Sequence, residues 1–176
     1  MANAGKIEIT DQHIQWILQR FAQALKVKVN AKILWGNRSI NKNDWIVLKR
    51  FLREQNIKTV IEYGYGLSTE LMVLEGLEVI SLETLKWWAE INRSVAGNEI
   101  IEYKEGGLPK IDRVFDMAFV DGPQSGQRMP EIIHAKEHSN LIFFHDLDSN
   151  RSQSVAELMK DWKVIEGYTG QFWKKI

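Results

Sequence analysis

The sequence predicts an open α/β fold: a doubly wound, mostly parallel sheet with helices on both faces and an antiparallel hairpin at its C-terminal end. Three observations carry this. From Lys58 onward, short apolar runs alternate with helical segments, which is the pattern of βαβ units and a right-handed parallel sheet. The first apolar run ends in a glycine-containing turn that opens into a helix. The last two strand-like runs flank Gly167 and Gly170, so they close the sheet as a hairpin, a known edge variation of open α/β sheets.

Taken in order, Asp11 to Val27 carries Ile14, Ile17, Leu18, Phe21, Ala22 and Leu25 at helical spacing, with Thr10 or Asp11 as N-cap. A polar loop, Asn37 to Asn43, leads into a second helix over about Asp44 to Gln55, with Trp45, Leu48, Phe51 and Leu52 on one face. Strands follow at Thr59 to Tyr63, Leu77 to Leu82, Glu99 to Tyr103, Phe115 to Val120 and Asn140 to His145. Helices are expected over Ser68 to Glu75, through Trp87, Trp88 and Ile91, and over Met129 to Glu137. Trp162 to Glu166 and Gln171 to Lys175 form the hairpin. The 176 residues are expected to form one domain, a helical cap at 1–57 on a sheet core at 58–176.

Composition excludes several functions. The chain is 44% apolar and 26% charged, as ordinary globular proteins are. It has no cysteine, which removes disulfides, thiolate metal sites and cysteine nucleophiles. Met1 to Thr10 lacks the apolar run of a secretory signal. No stretch approaches the roughly 20 apolar residues of a membrane span, so a cytoplasmic location without a membrane partner is expected. The 23 basic residues are balanced by 23 acidic ones; without a basic excess, nucleic acid is not an expected partner. A homodimer is left open. The seven tryptophans suit core packing or stacking on a ligand.

Open α/β sheets bind ligands at the carboxyl ends of their strands. The residues there are Glu62 to Thr69, Glu83 and Thr84, Lys104 to Gly107, Asp121 to Pro123, and His145 with Asp146. Gly64 and Gly66 permit a sharp turn and a close backbone approach. Glu83 stands 19 positions beyond Gly64, where an acid accepts hydrogen bonds from ribose hydroxyls. A dinucleotide motif would place a third glycine where this chain has Thr69. A Glu62 carboxylate would repel a pyrophosphate and favour a ligand carrying an amino group and a sulfonium cation.

Val60 to Thr69, reading VIEYGYGLST, resembles motif I of class I S-adenosylmethionine-dependent methyltransferases. Val79 to Glu83 is similar to their second strand and its ribose-binding acid. FDMAFVDGP, Phe115 to Pro123, resembles their fourth strand, and LIFFHD, Leu141 to Asp146, their fifth. The resemblance spans Lys58 to Ile176 and implies a Rossmann-like fold, S-adenosyl-L-methionine as cofactor and transferase activity by methylation. A narrower resemblance, to the glucuronoxylan 4-O-methyltransferase group, rests on Gly126, Arg128, Met129 and the run HDLDSNRS. It points to an oxygen acceptor on a small or carbohydrate-like molecule.

The expected cofactor-binding residues are therefore Glu62, Gly64, Tyr65, Gly66, Ser68, Thr69, Glu83, Thr84, Glu105 and Asp121. Glu105 is expected at the adenine amino group, and Trp87 or Trp88 against the ring. An oxygen acceptor benefits from losing its proton during attack; Asp121, His145 and Asp146 are the catalytic candidates. A metal-assisted version would use Asp121, Asp146 and Asp148 or Asn150, hard oxygen ligands suited to magnesium or calcium. His13, His134 and His138 are read as surface residues. Two alternatives stay open: a non-catalytic interaction or regulatory protein of the same fold, and an NAD(P)-dependent oxidoreductase.

Overall fold

Each apolar run expected as a strand is one, and all seven join a single sheet. The strands are β1 (Thr59–Tyr63), β2 (Glu78–Glu83), β3 (Glu99–Glu102), β4 (Met117–Val120), β5 (Leu141–Phe144), β6 (Trp162–Gly167) and β7 (Gln171–Lys175), in the order β3-β2-β1-β4-β5-β7-β6. The computed structural model describes residues 19, 40–93, 98–104, 107–122, 128–145, 155–167 and 170–176. Apart from Gln19, the helix expected over Asp11 to Val27 lies outside them, as do Glu105, Asp146, Asp148 and Asn150.

β1 pairs in parallel with β2 and β4, β2 with β3, and β4 with β5. β7 runs antiparallel between β5 and β6. The central strands β4 and β5 are buried along their whole length, because layers cover both faces of the sheet, and this explains their unbroken apolar sequences. Edge strand β6 carries an irregularity between Val164 and Glu166, a device that discourages edge-to-edge pairing.

The helices are α1 (Lys42–Glu54), α2 (Leu67–Leu74), α3 (Lys86–Arg93) and α4 (Met129–His138). Alternation along β1 sends Val60 to one face and Ile61 to the other. On the first face Trp45, Leu48, Phe51 and Leu52 of α1 and Leu71 of α2 pack with Val60, Phe119, Phe143 and Phe172. Phe51 stacks on Phe172 with ring centroids 3.8 Å apart. On the second face Ile132 and Ala135 of α4 pack with Ile61, Ala118, Ile142, Phe144 and Trp173. Asn41 caps α1, its side chain accepting the Asp44 amide at 2.9 Å.

The winding is interrupted between β3 and β4, where described residues 107–116 contain no helix. Histidines of α4 hold this connection instead. His134 Nε2 lies 3.0 Å from the Pro109 carbonyl and His138 Nδ1 lies 2.8 Å from that of Arg113. Both side chains are partly buried, so they are structural rather than surface residues. Burial pushes the Tyr63 phenol far up, so it remains a donor and meets His134 Nδ1 at 2.7 Å.

Candidate active site

The strand order reverses direction between β1 and β4, the switch point at which open α/β sheets form a cleft. Gly64, just after β1, has φ +97°, a conformation that L side chains rarely adopt. A Cβ on Gly64 would stand 3.1 Å from the Gly122 nitrogen, and one on Gly122 would stand 3.1 Å from Gly64 Cα and from the Tyr63 carbonyl. That carbonyl accepts the amides of Asp121 at 3.1 Å and Gly122 at 2.6 Å. The two loops therefore meet backbone to backbone, and a Cβ on either glycine would press on backbone atoms that must give way by a few tenths of an ångström. Gly66 caps α2, its amide donating to Thr69 Oγ1 at 3.0 Å.

Glu83 ends β2 beside this turn and is buried. One carboxylate oxygen accepts the Tyr65 amide at 3.0 Å, the other the Leu85 amide at 2.8 Å. Each oxygen keeps capacity for a further donor. Half-buried Thr84 follows. Tyr65 is fixed on three sides: its amide by Glu83, its hydroxyl by Glu70, and its carbonyl by Trp88 Nε1 at 2.9 Å. Trp88 is thus the packing member of the tryptophan pair, and Trp87, 52% exposed, presents the accessible ring.

Glu62 differs in character from a charged group facing a ligand. It is fully buried and receives the hydroxyls of Ser68 at 2.6 Å, Ser81 at 3.0 Å and Thr69. Burial pushes its carboxyl from 4.5 up to about 8 despite those three donors, with Asp121 adding repulsion. It is neutral at pH 7. Its place is inside the turn, joining β1, β2 and the start of α2. Ser68 and Thr69 serve the same junction.

At the ends of β4 and β5, Asp121 and His145 come together, with His145 Nδ1 2.9 Å from Asp121 Oδ1. Sequence reasoning missed two further members of this group. Asp44, from the first turn of α1, places Oδ2 3.2 Å from His145 Nε2. Buried Arg128 donates to the His145 carbonyl at 2.6 Å and stands 3.8 Å from Asp121 Oδ1. In the sequence Arg128 stands only as part of a motif, and Asp44 only as the start of the second helix. Among the described residues no group of three or more acids and histidines is arranged to hold a metal ion. No helix among them is long and apolar enough to cross a membrane.

No family model and no curated protein matches the chain in sequence. Solved structures do match it in fold. A Klebsiella pneumoniae protein provisionally described as an O-methyltransferase superposes with a TM-score of 0.65 at 18% identity, over 97% of this chain and 92% of that one. An O-methyltransferase from Bacillus cereus, in complex with SAH, gives 0.60 at 19% identity over 94% and 96%. A tRNA (m1A58) methyltransferase from Aquifex aeolicus gives 0.61 at 14% identity over 88% and 75%. The chain therefore has the Rossmann-like methyltransferase fold, a fold that serves acceptors as different as these.

Proposed function

We propose that the protein is an S-adenosylmethionine-dependent methyltransferase acting on a hydroxyl oxygen of a small or sugar-like acceptor. The observation that carries this reading is the Glu83 carboxylate held against the Gly64 turn at the switch point. The residues fit the cofactor. Glu83 would accept the two ribose hydroxyls with its remaining lone pairs. The Gly64–Gly122 contact keeps the strand ends bare, so the amino-acid part of the cofactor would meet backbone amides there. Tyr65, Gly66 and Thr84 line the same turn. Thr69 counts against a dinucleotide: it is buried, and its hydroxyl is used between Gly66 and Glu62.

When bound, the cofactor supplies an electrophilic methyl group on a sulfonium. The chain's task is then to align an acceptor and receive its proton. Asp121 suits that task better than His145. It is 24% exposed at the end of β4, whereas His145 is 2% exposed with both ring nitrogens against carboxylates. Asp121 would hold the acceptor hydroxyl and take its proton at a carboxylate oxygen. His145 and Arg128 fix that carboxylate from behind.

Calorimetric titration with S-adenosylmethionine, S-adenosylhomocysteine and NAD tests the reading. The first two should bind and NAD should not. Glu83→Gln should weaken binding by about tenfold or more, the loss of a charge-assisted hydrogen bond being worth about 1.5–3 kcal/mol. A folded wild-type protein that binds neither adenosyl compound would overturn the proposal.

A further inference from the structure

We infer that Asp44 is a positioning residue for Asp121, acting through the His145 ring; the inference rests on the methyltransferase reading for its catalytic meaning. The three side chains form one line from the interior to the cleft. Asp44 is 1% exposed, His145 2% and Asp121 24%. The ring meets Asp44 Oδ2 at 3.2 Å on Nε2 and Asp121 Oδ1 at 2.9 Å on Nδ1.

A nitrogen and a carboxylate oxygen at such distances need a proton between them. Two contacts therefore require two protons, and the proposed arrangement puts one on each ring nitrogen, each donated to a carboxylate. Asp44, by receiving the Nε2 proton, fixes the plane of the ring and directs Nδ1 at Asp121. Both side-chain contacts of Asp121 among the described residues, to His145 and to Arg128, fall on Oδ1. Oδ2, which makes neither of these contacts, is the oxygen we assign to the acceptor. Asp44 is itself fixed by Asn41, whose amide group donates to Oδ2 and whose carbonyl oxygen caps the Asp44 amide at 2.9 Å. The start of α1 thus contributes a side chain to the interior of the site.

Nitrogen-edited NMR of the histidine ring protons tests this, with His145→Gln identifying the His145 signals. Wild-type protein should show two slowly exchanging His145 N–H signals. Asp44→Ala should abolish the Nε2 signal and also displace the Nδ1 signal, which reports the contact with Asp121. Asp44→Asn preserves side-chain shape and an oxygen acceptor, so it should retain both signals with a smaller displacement; it also covers the case in which the alanine variant fails to fold. A single ring signal in the wild type, or an Nδ1 signal indifferent to both Asp44 substitutions, would overturn the inference. S-adenosylhomocysteine titration of the same wild-type sample separates the two ideas. Binding with an indifferent Nδ1 signal sinks the role of Asp44 alone. The expected ring signals without binding sink the methyltransferase reading while the hydrogen-bonded line stands.

Discussion

Replacing Glu62 with glutamine should remove a large pH dependence of stability. In the folded protein the Glu62 carboxyl is raised from 4.5 to about 8, first by burial, against the hydroxyls of Ser68, Thr69 and Ser81. In the unfolded chain it titrates near its ordinary value. Between those limits the native state keeps a proton that the unfolded state has released, so stability falls as pH rises and levels off above about 8. At about 1.4 kcal/mol per pH unit, the interval amounts to ~5 kcal/mol, a large share of the stability of a whole domain. A glutamine stays neutral and can rearrange its hydrogen bonds with the same three hydroxyls. Urea unfolding of both proteins from about pH 5 to about pH 8 isolates the effect, because every other titrating group is common to the two. The variant should gain on the wild type steadily across that range. Parallel curves would refute the argument, showing that Glu62 does not hold a proton in the native state.

Gly122→Ala should cost about 1–3 kcal/mol by forcing the β1 and β4 ends apart, since its Cβ would meet only backbone atoms at 3.1 Å. Adenosyl-ligand affinity should fall as well, measured by titration alongside thermal unfolding; an unchanged affinity would mean that this contact does not shape the cleft. Phe172→Ala should cost about 3–5 kcal/mol, because the ring is fully buried and stacked on Phe51. A loss below about 1 kcal/mol in chemical unfolding would show that α1 is not anchored through this ring.

The sheet was legible because its cues are local. Unbroken apolar runs such as MAFV and LIFF mark parallel strands, and the glycines of the hairpin mark its turn. The Gly64 turn and Glu83 were legible for the same reason, since residue type and spacing within one βαβ unit determine both. The charge of Glu62 was not, because it depends on desolvation and on Ser81, a residue of the neighbouring strand. Asp44 was hidden more deeply. In sequence it is a favourable acid in a helix's first turn, and its partner His145 lies 101 residues away. The tryptophan pair followed a helical pattern that predicts proximity to Glu83 but not which ring binds the Tyr65 carbonyl. Nor does any run of residues announce that the described part of the β3–β4 connection holds no helix and leans on His134 and His138.

The dependence of α1 on partners from the far end of the sheet also orders events during synthesis. This helix leaves the ribosome before any of the described strands, yet His145 and Phe172, which dock it, are made much later. At about 5–20 residues per second, the 101 residues separating Asp44 from His145 take on the order of ten seconds to emerge. Through that interval the apolar face of Trp45, Leu48, Phe51 and Leu52 can meet Val60 of β1 and Leu71 of α2 but not Phe143 or Phe172. The rest of that surface stays uncovered until β5 and then β7 arrive, so β7, the last described strand, completes the burial of α1.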